Sequence, residues 1–406
     1  MKKNSYPYVM IHGFGGYGAQ DKQDIHAHYW GIGPLYLKDH FAEKGVEFYN
    51  PSLGPFNSTW DRACILWAYL FGGTVDFGKV HAKKYHHARY GYTFEHGALE
   101  DLGQPGPHRK MNLMGHSFGG PTVIEVCQLF SFGDEDERRG TDPEDLSPLF
   151  AGGYGDLIHT VTTMSGVNNG TLMASALGVK GMTAATYFVL MIASMVGETR
   201  WTKFWDFKLQ HFGIGKFADQ IGKHGKFRSP FSHLDHVHDY AYNMDRDNSG
   251  REMQVEVIQP LNQALKMDPH IYYFAQRADS SVPGRKGDGS CRPKFPMDPL
   301  CFFSGFLTGR FTSPELARYG VGSDPLWRSN DGFVNVRGQS APLNLPSEEA
   351  DYSTDFKPGI WYNMPIEKGD HMFWIGLWRS RKSFFATYDR LLDLYAGLPD
   401  GDASAK

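Results

Sequence analysis

The 406-residue chain has little cysteine, with only Cys64, Cys127, Cys291 and Cys301. Four are too few for a disulfide scaffold, so the fold must rest on a packed core. Cys291 and Cys301 flank a short Pro-rich loop and could pair outside the cell; free thiols fit the sequence equally well. No long hydrophobic run is present. The longest, Met182 to Val196, has 15 residues, short of the ~20 that span a bilayer, which excludes a transmembrane helix there. Nor does a signal-type apolar core precede the first strand pattern at Tyr8. Charge of one sign is also lacking, since 41 Lys and Arg stand against 45 Asp and Glu. A protein that holds phosphate backbones carries a basic surplus, so the balance argues against nucleic acid as a partner. Aromatics are abundant, at 29 Phe, 21 Tyr and 9 Trp. That surplus points to an aromatic-rich core, large apolar cavities or an apolar ligand.

Short apolar runs alternate with helical patterns. Tyr8–Ile11 ends in the glycine-rich loop His12-Gly-Phe-Gly-Gly16, and Lys110–His116 ends in Ser117-Phe-Gly-Gly120. After it, Val123, Ile124, Cys127 and Phe130 fall at helical spacing, with Pro121 tolerated in the first turn. Further strands are expected at 47–49, 157–164, 271–275 and 360–362, and a helix at 256–266. Strands alternating with helices imply an α/β fold with a mainly parallel sheet covered on both faces. We expect one domain over residues 1–398, a flexible tail at 399–406, and insertions above the sheet at about 56–97 and 171–255. The charge run Asp134–Arg139 reads as a solvated loop.

Gly115-His-Ser-Phe-Gly119 matches G-x-S-x-G between an expected strand and an expected helix, the context in which this motif presents a nucleophile. A serine hydroxyl needs a base to take its proton and N–H donors to hold the oxyanion. Ser117 is the candidate nucleophile, and the backbone N–H groups of Phe118 and Phe14 are the candidate donors. In α/β-hydrolases the acid and then the base follow the nucleophile. His371, in a loop near the chain end, is the candidate base. Asp331, at a turn before Gly332, is the candidate acid, with Asp324 and Asp370 as fallbacks.

Asp61, His81, His86 and His87 share one segment, and imidazole with carboxylate suits zinc. Their spacings match no general zinc signature, so from chemistry alone solvated histidines remain an alternative. His233, His236, His238 and Asp239 form another donor supply.

The sequence resembles the zinc-containing secreted lipases of Gram-positive bacteria, of the staphylococcal and thermoalkaliphilic bacillus type, with clostridial relatives that attack polyesters. The likeness covers most of the chain. It is carried by Tyr8–Phe14, Ser58–Cys64, Gly72–Gly78 with His81 and His87–Arg89, Gly115–Gly120, Leu146–Phe150, Pro260–Asn262 and Asn330–Gly332. The resemblance implies an α/β-hydrolase with Ser117, Asp331 and His371 as triad and Phe14 and Phe118 as oxyanion donors. It implies a structural zinc on Asp61, His81, His87 and a fourth carboxylate, which alignment assigns to Glu252 with Asp247 in reserve. It also implies export, a lid helix at Met182–Val196 and no organic cofactor.

Three departures from that family stand out. Phe118 replaces a glutamine, Ser165–Gly170 replaces a histidine-containing stretch, and Phe373 with Trp378-Arg379 occupies positions of the family's calcium ligands. Phenylalanine cannot ligate calcium, so no calcium site is expected there. The expected activity is hydrolysis of hydrophobic esters, acylglycerols or polyesters, by a monomer. Another acyl bond (phospholipid or thioester), a catalytic zinc, or a non-catalytic lipid-binding role are the alternatives.

Overall fold

The computed structural model describes residues 4–21, 24, 27–31, 33–178, 181–182 and 247–400. The stretch 183–196 expected to form a lid, and His233, His236, His238 and Asp239, lie outside these.

Seven strands form one sheet: β1 (Tyr8–Ile11), β2 (Phe48–Tyr49), β3 (Met111–His116), β4 (Ile158–Met164), β5 (Tyr272–Asp279), β6 (Ser347–Glu349) and β7 (Trp361–Lys368). Their order is β6-β7-β5-β4-β3-β1-β2, and every pairing is parallel. The four expected strand positions are all occupied. The edge strand β6 was not expected, because Ser347-Glu-Glu349 is polar and wholly exposed.

Side chains alternate across the sheet, as period-2 geometry requires. Val9, Ile11, Leu113, Val161, Ala275 and Trp361 enter one core cluster. Tyr8, Met10, Met114, Met164, Phe274, Tyr362 and Met364 enter another. Helices cover both faces. On the first lie α1 (Thr59–Phe71) and α2 (Gly119–Phe132), through Ala63, Ile65, Leu66, Val123, Val126 and Phe130. On the second lies α3 (Arg381–Gly397), whose Phe384, Tyr388, Leu391, Leu392 and Tyr395 recur at helical spacing and are buried. Each such side chain contributes roughly 1.5–3 kcal/mol by leaving water.

Three expectations require correction. Residues 56–97 are not one insertion above the sheet, since α1 is a core helix and only the part beyond it, with the Gly73–Asp76 and Tyr90–Phe94 hairpin, is added. The charge run is a helix, Glu135–Gly140, capped by Asp134, and Glu137 is buried because its carboxylate accepts the Val80 and His81 N–H groups. Asp400, placed in the flexible tail, accepts the Tyr6 hydroxyl at 2.8 Å. Of the two readings left open for Cys291 and Cys301, the structure has the free thiols, both buried.

Candidate functional site

The end of β3 delivers Ser117 into a tight turn before α2. Ser117 has φ +58°, a left-handed conformation that costs a non-glycine residue about 1 kcal/mol or more and persists only where the surroundings impose it. The chain passes so close to itself that a Cβ on Gly115 would lie 2.0 Å from the Gly119 carbonyl oxygen. The Ser117 N–H is held by the Met164 carbonyl on β4, and its carbonyl accepts the Val167 N–H.

Asp331 and His371 are brought together from two loops. Asp331 is fully buried, and its Oδ2 lies 2.8 Å from His371 Nδ1. Its Oδ1 accepts the Phe333 and Val334 N–H groups at 3.0 and 2.8 Å, while the His371 N–H donates to the Asp331 carbonyl at 2.8 Å. The carboxylate is therefore fixed by two backbone donors and one imidazole. The fallback acids have other partners. Asp370 caps the short helix that begins at His371 and accepts the Asp298 N–H, and Asp324 accepts Arg337 Nε.

Beside Ser117, the Phe14 and Phe118 N–H groups have no acceptor among the described residues. The loop carrying Phe14 is pinned on either side, Gly13 N–H to the Tyr29 hydroxyl at 2.8 Å and Gly15 N–H to the Pro55 carbonyl at 2.9 Å. Beneath lies Arg62, fully buried on α1, which donates to the His12 carbonyl and to Thr122 Oγ1 on α2. Burial lowers its pKa to about 9. Phe118, Val167, Ala174, Met253 and Val334 are buried together, with Phe14 and Phe333 half-buried against them, so the surroundings are apolar.

A second polar cluster joins three segments. Asp61 Oδ1 lies 3.8 Å from His81 Nε2 and 3.8 Å from His87 Nε2, and His81 Nε2 lies 3.0 Å from Asp247 Oδ2. Asp61 Oδ1 and His87 Nε2 are buried without a hydrogen-bond partner. Such orphaned atoms are costly unless something else satisfies them. His87 Nδ1 lies 2.9 Å from the Ala88 carbonyl, which must accept from it and so leaves the Nε2 lone pair facing the cluster. His81 is stacked on Trp60, with ring centroids 4.5 Å apart. These separations bracket the ~3.3–3.5 Å between donors of a tetrahedral site with zinc-length bonds. Burial and the neighbouring Asp247 raise Asp61 to about 6, so the carboxylates repel where no cation intervenes.

Glu252, the fourth ligand assigned by alignment, lines the same cavity as His81 and Asp247 but has one carboxylate oxygen engaged by α1 and falls outside the Asp61–His81–His87 group. Its Oε2 accepts the Thr59 N–H at the start of α1 at 2.9 Å, and burial raises its pKa to about 8. Asp247, the reserve, is the carboxylate against His81. At the expected calcium positions, the Arg379 guanidinium stacks 3.8 Å from the Phe373 ring centroid, and Trp378 Nε1 donates to Asp298 Oδ2.

A family model described as a lipase-like C-terminal domain matches residues 4–403. The chain belongs to this lipase family. It is 31% identical to EstA from Clostridium botulinum (TM-score 0.81), covering 98% of this chain and 88% of that one. It is similar also to lipase 1 from Pelosinus fermentans, at 31% identity and TM-score 0.75 over 98% of this chain and all of that one. With Staphylococcus hyicus lipase the identity is 26% and the TM-score 0.81, covering 97% and 96%. The lipase of Staphylococcus epidermidis is 29% identical over 98% of this chain and 54% of its own length, so the chain spans about half the length of the curated relatives it matches. The α/β-hydrolase fold is thereby established.

Sequence reasoning missed several groups that frame the lipase-family site. Arg62 lies within Ser58–Cys64, yet its pairing with His12 and Thr122 is made through space. Asn168 and Asn169, where the family's histidine stretch is replaced, donate to the carbonyls of Gln339, Ser340, Arg337 and Ala341, tying the end of β4 to the segment after Asp331. Glu137 was set aside within a charge run. Its burial beneath an amphipathic run of acidic residues left no signal.

Proposed function

We propose that this chain is a serine carboxylester hydrolase, a lipase or esterase acting on hydrophobic esters such as acylglycerols or polyesters, within one domain reaching residue 398. The observation that carries the reading is the Asp331–His371 pair at 2.8 Å, with the His371 carbonyl 2.9 Å from the ring of His116, the residue before a serine held at φ +58°. The protons move as follows. His371 Nε2 takes the Ser117 Oγ proton as Oγ bonds to the acyl carbon, and the Phe14 and Phe118 N–H groups receive the oxyanion. His371 then gives that proton to the departing alkoxide, leaving an acyl-Ser117 and a free alcohol. Water adds to the acyl carbon as His371 accepts its proton, and return of that proton to Ser117 Oγ releases the acid. Asp331 Oδ2 holds the ring in the Nδ1–H tautomer throughout and stabilises the imidazolium.

The apolar wall of Phe14, Phe118, Val167, Met253 and Phe333 favours an aliphatic or aromatic acyl group over a polar one. Asp61, His81, His87 and Asp247 would hold a zinc ion; four protein ligands leave no position for an activated water, so its contribution is structural. Export, monomeric state and action at a lipid or polymer surface follow the same reading. The test is hydrolysis of p-nitrophenyl esters from acetate to palmitate, together with mass-spectrometric mapping of an alkyl phosphonate adduct. Turnover lost in Ser117→Ala, with the adduct on Ser117, supports the proposal; a Ser117→Ala variant that keeps most of its activity sinks it.

A further inference from the structure

His116, the residue before the candidate nucleophile, is almost fully buried and has both ring nitrogens engaged. Nε2 lies 2.9 Å from the His371 carbonyl oxygen, which can only accept, so Nε2 carries the proton. Nδ1 is then an acceptor, and the Tyr29 hydroxyl donates to it at 2.7 Å. The Tyr29 oxygen in turn accepts the Gly13 N–H at 2.8 Å. Gly13 adjoins Phe14 and lies against the nucleophile: a Cβ on it would fall 2.7 Å from Ser117 Cβ and 3.1 Å from Ser117 Oγ. Three hydrogen bonds of defined direction thus run from the loop that presents the Phe14 N–H, through the residue beside Ser117, to the backbone of His371.

We infer that Tyr29 and His116 are positioning residues that fix the Phe14 loop and the His371 loop relative to each other, and so set the oxyanion hole and the base in register. This inference rests on the proposed serine mechanism. The His116 ring serves as a neutral linker: burial first, and the charge of His371 second, depress its pKa well below the usual imidazole value, and the ring stands beside the His371 ring, centroids 4.8 Å apart, while hydrogen-bonding only to the Tyr29 hydroxyl and the His371 carbonyl. A hole made of rigid N–H donors acts because the donors are already in place when charge develops, so a loop freed by a few tenths of an ångström loses transition-state stabilisation while ground-state binding survives.

The test is Tyr29→Phe, which removes one oxygen and leaves the ring packing unchanged, assayed on soluble p-nitrophenyl butyrate. We expect kcat to fall by about 10- to 100-fold with KM within about twofold, and affinity for a tetrahedral-adduct-forming alkylboronic acid to fall by the same factor as kcat/KM. A purely structural role would lower Tm and leave the boronic acid affinity unchanged. His116→Leu is expected to match Tyr29→Phe. His116→Gln, whose amide can still donate towards His371, is expected to recover part of the loss. If His116→Leu does not fold, Tyr29→Phe alone carries the test. Wild-type kcat and boronic acid affinity in Tyr29→Phe overturn the inference. Phosphonate mapping on the wild type separates the two levels: an adduct on Ser117 with an unaffected Tyr29→Phe sinks only the positioning role, whereas no adduct on Ser117 sinks the serine mechanism itself.

Discussion

Two buried carboxylates, Asp331 and Asp61, are treated in opposite ways by their surroundings. Asp331 divides its oxygens between two backbone N–H groups and one imidazole, all between 2.8 and 3.0 Å. Asp61 Oδ2 accepts the Asn57 side-chain amide at 3.1 Å, but Oδ1 faces His81 and His87 with no donor, and the His87 Nε2 opposite has none either. The first site is complete with protein atoms. The second leaves acceptor atoms facing one another. A carboxylate satisfied within the protein can orient a base indefinitely, whereas acceptor atoms gathered without donors are the preparation of a cation site. The proposed chemistry therefore belongs to the first and the proposed metal to the second.

Substitutions should separate the two sites, with the largest effects at the first. Ser117→Ala should lower kcat by about 10⁵- to 10⁶-fold, and Asp331→Asn by roughly 10⁴-fold, because the amide presents the wrong tautomer to the ring. Steady-state kinetics measures both, and metal content by plasma emission should not change in either. In the second site, His87→Ala and Asp247→Asn should lose the metal and lower Tm by several degrees. A ligand present at 1,000 times its dissociation constant stabilises by about 4 kcal/mol. Their kcat at 25 °C should stay within about threefold of wild type, as calorimetry and kinetics on one preparation would reveal. Glu252→Gln should keep its metal, since Glu252 serves the Thr59 N–H. Loss of metal there would return Glu252 to the ligand set.

Part of the acid sensitivity should arise outside both regions. His159, fully buried near the start of β4, has its pKa lowered to about 4, by burial first and Lys110 second. The unfolded imidazole binds a proton near 6.5, so between pH ~6.5 and ~4 the unfolded state carries more protons and stability falls as pH falls. The contribution is present above pH ~6.5 and lost towards pH ~4, on the order of 1–3 kcal/mol. Tm against pH for His159→Gln should be flatter than wild type in that window. An identical slope would assign acid lability elsewhere.

Much of the first site was legible because its signals are local. A strand, G-x-S-x-G and a helix occupy contiguous residues, and chain order then limits the acid and base to a few positions. The fold was legible where strands are apolar and buried, as in β1, β3 and β4, and not at β6, whose three polar residues have no buried face. Helix α1 was misread as an insertion because its aromatic and histidine-rich flanks masked the buried run from Ala63 to Leu70. The choice between Asp247 and Glu252 was beyond alignment. Asp247 precedes the short helix Ser249–Glu252 and Glu252 ends it, and only the fold turns one towards His81 and the other towards Thr59. Tyr29, His116 and Arg62 act through partners 16 to 255 positions away, where no spacing rule applies.

The most direct test of the division between the two sites is phosphonate labelling of metal-stripped protein, held well below its melting temperature and checked by circular dichroism for retained fold. About one adduct per chain is expected on Ser117, formed at a rate within about threefold of the metal-loaded protein. Labelling that stops on metal removal while the fold is intact would contradict it, and would move the reaction to Asp61, His81, His87 and Asp247.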